Sequence, residues 1–130
     1  MSIPVTADDL AARLEEYGGV CFLATVGTDD AGCSSTKIVH VPVAWDGEVL
    51  RCTPGRGTLA NLGADIHGGE GGPVTLVFPG PTPGAHSMLL DGTGRADGDV
   101  AVISVTGGVL HRPAPTDPPI TQPSNIPDAS

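Results

Sequence analysis

Aromatic residues are scarce in this chain, with two Phe, one Tyr and one Trp among 130 residues. A core cannot be assembled around large rings and must come from Val, Leu, Ile and Ala, of which the β-branched members favour strands. Basic residues are also few. Six Lys and Arg stand against fifteen Asp and Glu, giving a formal charge of -9 and a pI near 4.5. That balance argues against a nucleic-acid-binding surface, because neutralising phosphates takes clustered cations. No apolar run approaches the roughly 18 residues of a membrane span. The N-terminus MSIPVTADDLAARLEE has neither a basic segment nor the apolar run of a leader. The expectation is a soluble cytoplasmic protein with no membrane partner.

Several reaction classes lack their residues. His40, His67, His86 and His111 have no HxH or HExxH spacing and no CxxC to join them, which argues against a zinc site. Cys33, Ser34 and Ser35 stand in no nucleophile-elbow context, so a hydrolase triad is not indicated. Cys21, Cys33 and Cys52 are odd in number and fall at or inside expected strands; they read as reduced, partly buried small apolar side chains.

What the chain does have is a β-type pattern. With 39% hydrophobic residues and a mean hydropathy of +0.10, 130 residues suffice for one compact domain. Thr6 followed by Asp9 has the form of a capping box, and Leu10, Leu14 and Tyr17 repeat at helical spacing, which predicts a helix over about 7–17. The run VCFLATV, the turn GTDDAG and the segment CSSTKIVHVPVAW then predict two hairpin strands, with Val39, Val41, Val43 and Trp45 on one face. Asp46-Gly47 signals a second hairpin into EVLRCT. A short internal helix is expected over Thr58 to Ala64, and IHGGEGG, residues 66–72, reads as a mobile loop. The strand PVTLVFP, the strand within HSMLLDGTGRADG, the strand VAVISV, a Thr-Gly-Gly turn and the strand VLHR follow. About six or seven strands joined by short turns fit a mostly antiparallel barrel. The domain is expected to span 1–112, and the Pro-rich segment 113–130 reads as a disordered or extended tail.

The stretch RCTPGRGTLANLGAD, residues 51–65, is where chemistry is concentrated. A strand passes through Thr-Pro-Gly-Arg-Gly into a helix, and a helix start presents unpaired backbone N–H groups to which Arg56 adds a permanent charge. The turn is either an anion cradle or a corner whose polar groups cap the helix. Lys37, the only lysine, is either a solubilising charge or an assistant to that cradle. Trp45 reads as packed on the sheet rather than as a stacking platform, and His111-Arg112 as the end of a strand or a contact to a cofactor or second subunit.

The order of these elements, centred on FLATVGTDDAGCSSTKIVHVPVAWDGEVLRCTPGRGTLANLGADIHGGEGGPVTLVFP and followed by LLDGTGRADGD and VLHRP, resembles the pyridoxamine 5'-phosphate oxidase-like, flavin-binding split-barrel family. The short actinobacterial-type members resemble it most, and the likeness runs over roughly Thr6 to Pro115. It implies an antiparallel six-stranded split β-barrel forming a homodimer, with cofactor grooves at the subunit interface. Carried onto this chain, it implies Thr53, Arg56 and Thr58 as phosphate-side groups, with Arg51 or Lys37 assisting. The implied cofactor is FMN, or alternatively a deazaflavin, and the implied activity is that of an oxidoreductase. The chain departs from the pattern in two places: Gly57 and Thr58 stand where a lysine is usual near the helix start, and IHGGEGG looks inserted. A degenerate barrel without cofactor, serving as a ligand-binding or interaction module, is the alternative.

Overall fold

The computed structural model describes residues 2–28, 30–63, 71–82 and 84–112. Most of these lie in one antiparallel sheet that curls into a half-barrel, accompanied by two short helices. The chain runs β1 (Ser2–Pro4), α1 (Leu10–Tyr17), β2 (Val20–Thr28), β3 (Ser34–Pro42), β4 (Ala44–Trp45), β5 (Leu50–Cys52), α2 (Arg56–Leu62), β6 (Gly72–Phe78), β7 (Ser87–Asp97) and β8 (Val100–His111). In the sheet the order is β3-β2-β6-β7-β8-β5-β4, and β1 pairs with the far end of β8.

Eight strands therefore stand among the described residues, against the six or seven read from the turns. The sheet also does not close there: β3 and β4, consecutive in the chain, are at opposite ends of the order. The lengths give a reason. β4 has two residues and β5 three, too few to carry a ladder round to the nine-residue β3.

Period-two burial builds the core. On β2, Cys21, Leu23, Thr25 and Gly27 point inward in alternation with more exposed neighbours. Val41 is buried, and Val39, Val43 and Trp45 pack against the same core, as the alternation from 39 to 45 predicts. Leu23, Leu50, Leu76, Phe78, Leu90 and Ile103 are fully buried. Truncating such a leucine to alanine typically costs about 2–5 kcal/mol. Cys21 and Cys52 belong to this core, whereas Cys33 is exposed.

Three local expectations change in detail. Helix α1 begins at Leu10, and the Thr6 hydroxyl donates to the Asp9 carboxylate (2.9 Å) instead of capping a backbone N–H; Asp9 is itself the N-cap residue and makes no side-chain cap. The helix ends at Gly18 in the left-handed region (φ 87), with its N–H donated to the Leu14 carbonyl, and the Tyr17 hydroxyl ties α1 to the His86 carbonyl (2.9 Å). Helix α2 starts two residues earlier than expected and ends at Leu62. Finally, Thr106-Gly107-Gly108 is not a turn. β8 runs unbroken from Val100 to His111, and its register with β7 jumps from Asp91↔Gly107 to Gly92↔Val105, so Thr106 is the extra residue of a β-bulge. The expected 113–130 tail and all of the 66–72 loop except Gly71 and Gly72 lie outside the described residues. No described helix is long and apolar enough to cross a membrane.

Candidate functional site

The turn between β5 and α2 begins with exposed Thr53 and reaches Gly55, whose φ of 101 favours glycine over any residue with a Cβ. Arg56, exposed, opens the helix. The helix has no side-chain N-cap and no acidic residue in its first turn. The first N–H groups of any helix lack intrahelical acceptors, and here neither a side-chain cap nor an acid in that turn offsets their partial positive charge.

A second cation comes to the same turn from a distant strand. The Lys37 side chain lies against Gly57: a Cβ built on that glycine would stand 2.7 Å from Lys37 Nζ and 2.7 Å from Cε. Only glycine permits this approach without displacing the lysine. The register explains how Lys37 arrives, since it pairs with Thr25 across β2 and β3. Thr25 in turn accepts a hydrogen bond on Oγ1 from Asn61 Nδ2 of α2 (3.0 Å). Asn61 also covers Gly27, where a Cβ would fall 2.0 Å from its Oδ1. Helix α2 thus sits on the inner face of β2 and β3, with Lys37 at its first turn.

Thr58 follows in the same helical turn. It is wholly buried, and its Oγ1 has no hydrogen-bond partner. A buried unsatisfied hydroxyl costs on the order of 1–3 kcal/mol, so it is a feature that needs an occupant or an explanation.

Arg51 does not join this group. It projects from β5 to the preceding turn, where its guanidinium forms an ion pair with the Asp46 carboxylate. Asp46 also accepts the Glu48 N–H (2.8 Å) and the Val49 N–H (2.9 Å) on Oδ1. Its carboxyl is lowered to about 2, chiefly by the Val49 N–H, then by Arg51 and the Glu48 N–H. Of the five residues singled out in the sequence, the structure brings the Lys37 side chain to Gly57, between Arg56 and Thr58 in the chain, leaves Thr53 and Arg56 exposed, buries Thr58, and engages Arg51 elsewhere.

Sequence alone gives Asn61, Thr25 and Gly57 no role in the cradle. For Lys37 one signal is available: it is in phase with Val39, Val41 and Val43, so period two alone puts it on the inner face. Among the described residues no three His, Cys, Asp or Glu side chains stand close enough to hold a metal ion. No family model, no curated protein and no solved structure matches this chain. The residues and their geometry alone bear on its function.

Proposed function

We propose that the turn at the start of α2 binds a phosphate-bearing cofactor of the flavin type, FMN or a deazaflavin nucleotide, in a split-barrel protein acting as an oxidoreductase. The observation that carries this is the seating of Lys37 against Gly57, beside Arg56. Two cations gather at a helix start that is already electropositive, in a chain with a net charge of -9. Such a gathering is unfavourable without an anion and favourable with one. A phosphate fits the donor set: a guanidinium that can grip two oxygens, an ammonium, backbone N–H groups and the Thr53 hydroxyl.

In this reading Arg56, Lys37 and Thr53 hold the phosphate and fix the cofactor's position, and the bound flavin or deazaflavin supplies the electron-transfer chemistry. The apolar interior of the half-barrel limits the access of water to the protein side of the site. A second copy of the chain would complete the groove. Support for a dimer comes from the outer face of β2 and β3, where Ile38 is 62% exposed and Phe22 and Val20 are exposed on the same face, with β3 as an edge strand.

The deciding experiment is titration with FMN beside riboflavin, which lacks the phosphate, and beside a deazaflavin nucleotide, read by flavin fluorescence at low and high salt. The expected outcome is saturable, salt-weakened binding of the phosphorylated forms and at least about tenfold weaker binding of riboflavin. Equal binding of FMN and riboflavin, or none of any, would reject the phosphate cradle. The same outer face favours a second reading, an interaction module without cofactor. Absence of flavin binding together with a concentration-dependent dimer, seen by light scattering, would select it.

A further inference from the structure

Elsewhere on the sheet, β8 changes partner. Its first part, Ala101 to Ile103, pairs with β5, and its last part, Val109 to His111, pairs with β1. Between them, Ser104 to Gly107 have no strand on that edge among the described residues. The Thr106 bulge lies in this interval and bends the strand from one partner to the other. The Thr106 hydroxyl turns to the β7 side and donates to the Asp91 carbonyl (3.2 Å). A notch is left on the opposite edge.

The notch is a partly enclosed cavity of about 380 Å³, at the small end of the ~300–1,000 Å³ typical of ligand sites. Val5, Leu10, Leu90 and Val105 give it an apolar wall, and Trp45 and Glu48 close it from the hairpin between β4 and β5. Glu48 is the only ionisable side chain among its lining residues. The one cation of that hairpin, Arg51, is already bound by Asp46. Glu48 is therefore an acidic lining residue with no counter-charge from its own hairpin.

We infer that this notch binds a small organic cation, an ammonium group carried on a compact apolar body. The carboxylate supplies charge complementarity, the indole of Trp45 offers a π-face that attracts cations, and the unpaired edge of β8 offers backbone carbonyls as acceptors. The aliphatic wall takes the apolar body. The site is separate from the turn at α2 and opposite in sign, so its occupancy does not depend on the flavin reading.

Trp45 is the single tryptophan, so its fluorescence reports on the notch directly. Phenethylammonium, phenylethanol and phenylacetate share one apolar body and differ in charge; each is titrated into the full chain at neutral pH with selective tryptophan excitation. The expected result is a saturable change with the cation, at least about tenfold weaker binding of the alcohol, and weaker still of the anion. In Glu48→Gln, with its fold checked by circular dichroism, the preference for the cation over the alcohol collapses. Equal affinities for the three compounds, a preference for the anion, or no saturable response to the cation would each overturn the inference. The charge series on the unaltered protein decides the matter even where the variant fails to fold.

Discussion

Two turns flank the three-residue β5, and they treat positive charge in opposite ways. At the first, Asp46 binds Arg51 and also accepts two backbone N–H groups of its own hairpin. Donors and acceptor balance within one turn, and the whole arrangement is explained by the geometry of the hairpin. At the second, Arg56 and Lys37 gather where the backbone is already electropositive, and the first turn of α2 contains no acid. The first is a closed circuit and the second is open. A balanced charge is what a turn needs to hold its shape, whereas an unbalanced one, brought in from a strand twenty residues away, is what a turn needs to hold something else.

The largest expected effect breaks the open turn. Hydrogen bonds to charged groups contribute about 1.5–3 kcal/mol each, so Lys37→Ala and Arg56→Ala together should weaken a phosphorylated ligand by about 100-fold or more in equilibrium titration. The same pair of changes should leave the unliganded fold as stable as before or slightly more so, because cations near a helix start are mildly unfavourable. Arg51→Ala supplies the contrast and should leave ligand affinity unchanged. Equal losses from Arg51→Ala and Arg56→Ala would erase the distinction between the two turns.

Next in size is a change that shifts α2 on the sheet. A Cβ at Gly27 would meet Asn61 Oδ1 at 2.0 Å, far inside contact distance. Gly27→Ala should therefore push α2 outward, break the Asn61–Thr25 hydrogen bond, and cost about 1–3 kcal/mol in urea unfolding, the usual range for overpacking. Ligand binding at the α2 turn should fall with it, while the Asp46 turn, on the other side of β5, is untouched. A Gly27→Ala protein of unchanged stability would mean that Asn61 swings away freely and does not fix the helix.

The alternation of Val39, Val41, Val43 and Trp45, the Asp46-Gly47 hairpin and the first helix are all legible in the sequence, since each is set by neighbours within a few residues. The site is only half legible for the same reason. Arg56 and Thr53 belong to the local turn, but the meeting of Lys37 with Gly57 depends on the β2–β3 register and on Asn61 reaching Thr25, contacts across 36 residues of chain. The bulge at Thr106 is hidden because Thr-Gly-Gly has the composition of a turn. Its glycines instead serve a bend within one continuous strand, and that bend depends on the strands at either edge of β8.

Cys52 closes β5 between the two turns and tests how dry the intervening core is. Burial pushes its thiol up to about 11 and that of Cys21 to about 12, with the neighbouring Cys52 adding to the effect on Cys21. The unfolded chain ionises near the ordinary value of 9.0 while the native protein holds its protons. Stability should thus be intact below about 9 and fall as pH rises from there through 11 to 12, in the sense required when the unfolded state binds fewer protons. Urea midpoints followed upward from pH 8 should show this decline, and it should be shallower in Cys21→Ala. An identical slope in that variant would mean that the thiols are wetter than their burial implies.

The smallest effect belongs to the balanced turn and works in the acid direction. The Asp46 carboxyl is held down to about 2 from the ordinary 3.8, so its contribution to stability is fully present above about 3.8 and is lost as pH falls through about 2. Because the group is solvent-exposed, the accompanying stability change should be slight and weakened further by salt. The sharper measurement is the titration of Asp46 itself by carboxyl NMR, which should move back towards 3.8 in Arg51→Ala yet remain below it. The two backbone N–H donors stay in place in that variant, and the Val49 N–H is the largest single cause of the lowering. Complete reversion to 3.8 would instead make the ion pair the whole cause, and the turn would owe its charge balance to Arg51 alone.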